Sequence, residues 1–270
     1  GQVRYEEKTQ PHKEENTMCG IVGYVGDRQA PDFLLEGLSK LEYRGYDSAG
    51  IAVYDDGAIA VRKKEGRIAN LYELVQQDPC QGTIGIGHTR WATHGGPSDL
   101  NAHPHVSNDG TFAVVHNGII ENYMAIKEEL IEKGYTFKSE TDSEVVPMLC
   151  QDLYNGDFAD TVRNVLKRLR GSYSLVFMTT HEPDTIICCK KDNPLIVGLG
   201  DGENYIASDI PAILNYTRRT YIMNDGEVAI VKKDTVWVTD LDGNAISKKI
   251  FEVNWDAEAA EKGGYEHSML

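Results

Sequence analysis

The chain has 270 residues, with 42 acidic against 27 basic side chains and a formal charge of −15, a balance that argues against a nucleic-acid surface. No apolar run approaches about 18 residues, so no membrane-spanning helix is expected. The first twenty residues also lack the apolar stretch of an export signal.

Residues 1–17, "GQVRYEEKTQPHKEENT", are polar and without apolar period. With Met18 they form an expected leader, pro-segment or artificial extension spanning residues 1–18. "CGIVGYVG" then reads as a buried strand. "PDFLLEGLSKLE" sets Leu34, Leu35, Leu38 and Leu41 on one helical face. "AGIAVYDDGAIAVRKK" predicts a hairpin turning at Asp56-Gly57. "TIGIGHTRWAT" and "TFAVVHNGII" are further strands running into Gly-rich bends. Three helices follow, over about 121–133, 143–155 and 160–170, with Gly134 and Gly171 as stops. "TDSE" has capping-box spacing from Thr141 to Glu144, and Pro147 predicts that this middle helix begins late or is kinked. After Gly171 the chain is nearly all hairpins, and "DAEAAEKGG" reads as a helix broken by glycine. Antiparallel hairpins with helices grouped mid-chain predict an α+β domain whose helices cover sheets.

The five cysteines are Cys19, Cys80, Cys150, Cys188 and Cys189. An odd count without regular spacing fits reduced thiols and a cytoplasmic protein. Four fall in core-like patterns. Cys19 differs, because "MCG" is how a chain would begin, yet residues precede it. An N-terminal Cys carries its own base, an α-amine of pKa about 7.7 to 8.0 beside the thiol. Acylated by Met18, that nitrogen is an amide and not basic, so the chemistry requires Cys19 to become terminal.

Other candidates lie in the bends. Asn117 and Gly118 of "HNG" offer a side-chain amide beside a flexible backbone N–H, a pair suited to a tetrahedral oxyanion, although Asn-Gly is also a common turn. Arg90 of "GHTRWATHG" suits bidentate capture of a carboxylate, with Trp91, Thr93 and His94 beside it. Asp142 of "SETDSE" is either an ammonium ligand or a helix cap. An Arg and an Asp around an acyl-accepting Cys would read both charged ends of a free α-amino acid. His88, His94, His103, His105 and His116 include one H-x-H step but no metal-binding signature, so no metal is expected.

In this order, "MCGIVGY", "LEYRGYDSAGIAV", "GHTRWATHG", "NAHPH", "HNGIIENY" and "SETDSEVV" resemble the class II glutamine amidotransferases. "EYRGYDSAG" and "HTRWATHG" point to the hexosamine-forming branch. The resemblance implies an N-terminal-nucleophile hydrolase fold, an αββα four-layer sandwich, over residues 19–255. It implies L-glutamine as substrate and no cofactor. Cys19 matches the nucleophile, Asn117 and Gly118 the oxyanion pair, Arg90 the ligand of the glutamine carboxylate and Asp142 that of its ammonium. Trp91, Thr93 and His94 match the loop that closes on glutamine, and Arg44 a support for the Cys terminus. The family pattern also makes residues 256–270 the start of a linker. The expected partner beyond it is a sugar-phosphate isomerase domain, which takes fructose 6-phosphate as acceptor and through which the full-length protein oligomerises. A second reading is a domain that binds glutamine without turnover because Cys19 is blocked by its leader.

Overall fold

Two antiparallel sheets stack face to face, and the alternation of residues along their strands decides which layer each side chain enters. The computed structural model describes residues 19–44, 47–91 and 95–254, with only the backbone of Arg44. In chain order the elements are β1 (Gly20–Val25), α1 (Ala30–Lys40), β2 (Ser48–Asp55), β3 (Ala58–Glu65), α2 (Ile68–Gln77), β4 (Ile84–Arg90), β5 (His105–Val106) and β6 (Phe112–Ile120). Three helices follow: α3 (Tyr123–Glu132), α4 (Val145–Leu153) and α5 (Phe158–Arg168). The rest are strands: β7 (Gly171–Thr179), β8 (Ile186–Lys191), β9 (Ile196–Leu199), β10 (Asn204–Ala207), β11 (Arg219–Ile222), β12 (Val228–Val231), β13 (Val236–Thr239) and β14 (Phe251–Glu252).

One sheet has the order β14-β11-β9-β10-β1-β4-β2-β3 and the other β13-β12-β8-β7-β6-β5. Between them lie Ile21, Val25, Ile86, Ala113, Val115, Val176 and Cys188. On the outer face of the first sheet, Leu34, Leu38 and Leu71 of α1 and α2 pack on Val22, Tyr24 and Ile51. On the outer face of the second, Leu130, Leu149, Phe158 and Val162 of α3–α5 pack on Phe112, Val114, Leu175 and Phe177. Both faces of each sheet are therefore covered, which is why the central strands read as unbroken apolar runs. The adjacent Cys188 and Cys189 point into different layers for the same reason.

The Asp56-Gly57 hairpin forms as expected, with both residues at positive φ, 47° and 88°. Gly134, at φ 98°, follows the end of α3. The capping box does not form. Helix α4 begins at Val145, and Glu144 at its N-cap makes no side-chain cap. Its carboxylate instead accepts from the backbone N–H groups of Lys138 and Ser139 and from the Ser139 hydroxyl. The late start leaves Pro147 in the first turn, where its missing N–H costs nothing. Helix α2 and the short strands β5, β11 and β14 are additions to the elements that the sequence pattern predicts. Residues 1–18 and the tail from Trp255 lie outside the described residues.

Candidate active site

The register between β1 and β4 brings the expected nucleophile and the Arg90 end of β4 together. Gly20 pairs with Thr89 and Ile21 with His88, so Cys19, one residue before β1, meets the strand end at Arg90-Trp91. The Trp91 backbone N–H donates to Cys19 Sγ at 3.2 Å. On β4 the side chains of Ile84 and Ile86 enter the space between the sheets, and His88 continues that face. On β6 the matching series is Ala113, Val115 and Asn117. The two polar ends meet, with His88 Nε2 2.9 Å from Asn117 Oδ1, and Asn117 Nδ2 donates to Cys19 O at 3.2 Å. "HNG" is thus strand and not turn. Gly118 sits at φ 111°, and a β-carbon there would lie 2.3 Å from Ser172 O, so only glycine fits.

One pocket is lined by Cys19, Arg90, Trp91, Gly118 and Asp142 together with His88, His103, His116, Thr141 and Ser143. Arg90 is buried, and its guanidinium donates to the carbonyls of Gly95 and Gly96, tying the following loop to β4. Asp142 is 3% exposed and does not cap α4. Its Oδ2 accepts from Ile120 N–H at 2.7 Å, at the end of β6, and no Lys or Arg among the described residues pairs with it. Trp91 is 42% exposed at the rim. Thr93, His94 and the side chain of Arg44 lie outside the described residues.

Sequence reasoning did not see the buried imidazole cluster as part of this pocket. Gly50, paired with His88 across β2 and β4, has no room for a side chain, since a β-carbon would lie 2.0 Å from His103 O. That close approach lets the His103 ring stack on His88, with centroids 4.0 Å apart and planes within 11°. His103 Nδ1 accepts from the His116 backbone N–H, His116 Nδ1 meets Ser143 Oγ at 2.7 Å, and His105 Nε2 meets Thr141 Oγ1 at 2.9 Å. Burial pushes His88 down to about 3 and holds His103 and His105 well below the ordinary imidazole value.

These shifts make an acid-labile core. In the unfolded chain each ring takes a proton near pH 6.5, whereas the folded chain keeps it neutral to much lower pH. The unfolded state then binds more protons, so stability present above about pH 6.5 is lost as pH falls. The urea midpoint should fall between about pH 6.5 and 5, before carboxylates titrate. His105→Gln should flatten that slope, and a midpoint constant over this range would contradict neutral buried rings.

The other thiols are chemically quieter than Cys19. Desolvation raises the pKa of Cys80, Cys150, Cys188 and Cys189, and all four are buried, whereas Cys19 is only partly covered.

Residues 88–215 match the family described as "Glutamine amidotransferase domain". The glutamine–fructose-6-phosphate aminotransferase [isomerizing] of Caldanaerobacter subterraneus subsp. tengcongensis is 60% identical over 253 residues, covering 94% of this chain and 42% of that protein. The protein of the same name from Clostridium perfringens is 54% identical over the same shares. The chain thus spans about 42% of the length of these relatives. Among solved structures, the glutamine phosphoribosylpyrophosphate amidotransferase of B. subtilis superposes with a TM-score of 0.71 at 27% identity, covering 84% of this chain and 50% of that one. Among the described residues no helix is long and apolar enough to cross a membrane. The sandwich is the N-terminal-nucleophile hydrolase fold, and the chain carries a glutamine amidotransferase domain similar to those of these relatives.

Proposed function

We propose that this domain hydrolyses the side-chain amide of L-glutamine to glutamate and ammonia through a γ-glutamyl thioester on Cys19. The observation that carries the reading is the convergence of Cys19, Arg90, Gly118 and Asp142 on one pocket, with Asn117 reaching Cys19 from beneath. With Cys19 N-terminal, its amine takes the thiol proton and the thiolate attacks the amide carbon. Asn117 Nδ2 has a second N–H beyond the one given to Cys19 O, and with the Gly118 N–H it takes the developing oxyanion. The protonated amine then donates to the leaving nitrogen, ammonia departs, and water cleaves the thioester. The Trp91 N–H on Sγ favours the thiolate.

Specificity for a free amino acid rests on two charges. A buried carboxylate without a cation is costly, and the ammonium of glutamine would supply one at Asp142. Arg90 would hold the carboxylate. Trp91, Thr93 and His94 belong to the segment proposed to cover the bound substrate, and Arg44 to the support of the Cys terminus. By analogy with the relatives' names, fructose 6-phosphate is the proposed acceptor of the ammonia, on a further domain beyond the segment 256–270. The second reading, a silent domain while residues 1–18 acylate Cys19, concerns the unprocessed form of the same site.

The test uses protein processed to Cys19. An electrophilic glutamine analogue should label Cys19 alone, and glutamate should appear with ammonia from glutamine. Equal labelling of any buried cysteine, or no glutamate, would refute the proposal. Arg90→Lys keeps the charge but loses the fork, so kcat/KM should fall about 10- to 100-fold. Wild-type kinetics in that variant would remove Arg90 from the scheme.

A further inference from the structure

We infer that His88 is a positioning residue that fixes which end of the Asn117 amide faces Cys19, by holding its own proton on Nε2. The inference rests on the proposed role of Asn117. Cys19 O has no proton to give, so the Asn117 atom 3.2 Å from it must be the NH₂ group. The opposite atom is then the carbonyl Oδ1, and it lies 2.9 Å from His88 Nε2. Two acceptors do not meet at that distance without repulsion, so Nε2 carries a proton.

Neutral imidazole has a single N–H, and the burial of His88 keeps it neutral. The tautomer is therefore decided by Asn117, and the Asn117 rotamer by His88. With the proton on Nδ1 instead, Asn117 would turn its NH₂ toward the imidazole and aim an oxygen at the place where negative charge develops. The His103 ring, stacked 4.0 Å away, holds the imidazole plane, and His103 is anchored in turn through the His116 N–H. No free rotation is left to either member of the pair. Among the described residues, Ile84-Ile86-His88 and Ala113-Val115-Asn117 are two strand faces whose polar members, His88 and Asn117, meet beside the pocket.

Nitrogen NMR of the full chain labelled in histidine tests the tautomer without reference to activity, with His88 assigned by the signal lost in His88→Gln. The expected spectrum shows Nε2 protonated and Nδ1 bare, unchanged from about pH 6 to 8. A proton on Nδ1 overturns the inference whether or not glutamine is hydrolysed. In protein processed to Cys19, His88→Leu should lower kcat about 10- to 100-fold with KM for glutamine unchanged, the scale of losing an orienting partner. His88→Gln, whose amide can donate to the same oxygen, should recover most of that loss. In an Asn117→Ala background His88→Leu should cost nothing further, because there is no amide left to orient. An equal loss in both backgrounds would assign His88 to general packing and overturn the inference. If the wild-type protein releases no ammonia, the proposed function falls and the tautomer alone decides.

Discussion

Protein whose chain begins at Cys19 should release ammonia from glutamine about 10²–10⁴ times faster than the 270-residue chain, the range that a positioned general base contributes. In the longer chain the nitrogen of Cys19 is an amide, so the thiol loses the base that its own residue would supply. The imidazoles of His88, His103 and His105 are poor substitutes. His88 Nε2 is turned to Asn117, His103 Nδ1 accepts from the His116 backbone, and His105 Nε2 is turned to Thr141. His88, His103 and His105 also hold protons weakly, having been pushed down by burial. The pH profile carries the sign. A neutral amine is the base, so kcat/KM of the processed protein should rise with pH through about 7.7 to 8.0 and level above. Intact mass must accompany the rates, because slow loss of residues 1–18 would mimic activity. Equal rates for a chain shown to be intact and for the processed form would end the terminal-amine mechanism here.

How far the sequence reaches toward this site depends on which physical signal each part leaves. Strands with both faces covered leave long apolar runs, and the Asp56-Gly57 turn leaves residues that tolerate positive φ, so β1, β2, β3, β6, β7 and β8 could be read directly. Helix α2 carries its apolar spacing at Ile68, Leu71 and Val75, but its neighbours Glu73, Gln76 and Gln77 are polar and it buries only Ile68 and Leu71 fully. The signal was present and weak. Strands β11 and β14 pair over only a few residues at the sheet edge, too short for alternation to be visible. Glu144 shows a different failure. Its spacing from Thr141 fits a capping box, yet the N–H groups of Lys138 and Ser139 claim its carboxylate, because the turn before Asp142 needs acceptors more than the helix does.

The site residues divide along the same line. Arg90, Gly118 and Asp142 were legible as chemical types at named positions, and the structure brings them to one pocket with Cys19. The histidines read only as a metal possibility in the linear sequence, since what unites them is packing across sheets. Extending the period of two would have helped: residues 84, 86 and 88 share a face, as do 113, 115 and 117, and in both series a polar group follows two buried apolar ones. A polar side chain following an inward apolar series is a signal worth reading, for it must find a partner when buried. The stacking of His103 on His88 has no such signal. It depends on the missing side chain of Gly50, which is far away in sequence.

Asn117→Ala should lower kcat for glutamine hydrolysis by about 10²–10³ while leaving KM nearly unchanged, as expected for a donor that acts only on the developing oxyanion. The residue is proposed to touch neither charged end of glutamine, so ground-state binding through Arg90 and Asp142 survives its loss. Truncation also removes the hydrogen bond to Cys19 O, and a loosened Cys19 would lower the rate without any oxyanion effect. The two causes can be separated by changing the chemistry. A simple haloacetamide alkylates a thiolate by displacement at a saturated carbon, where no oxyanion forms. If Asn117 serves the oxyanion, alkylation of Cys19 in Asn117→Ala should keep nearly its wild-type rate while glutamine turnover collapses. Parallel losses in both reactions would mean that Asn117 only holds Cys19 in place, and the oxyanion assignment would have to pass to Gly118 and another donor.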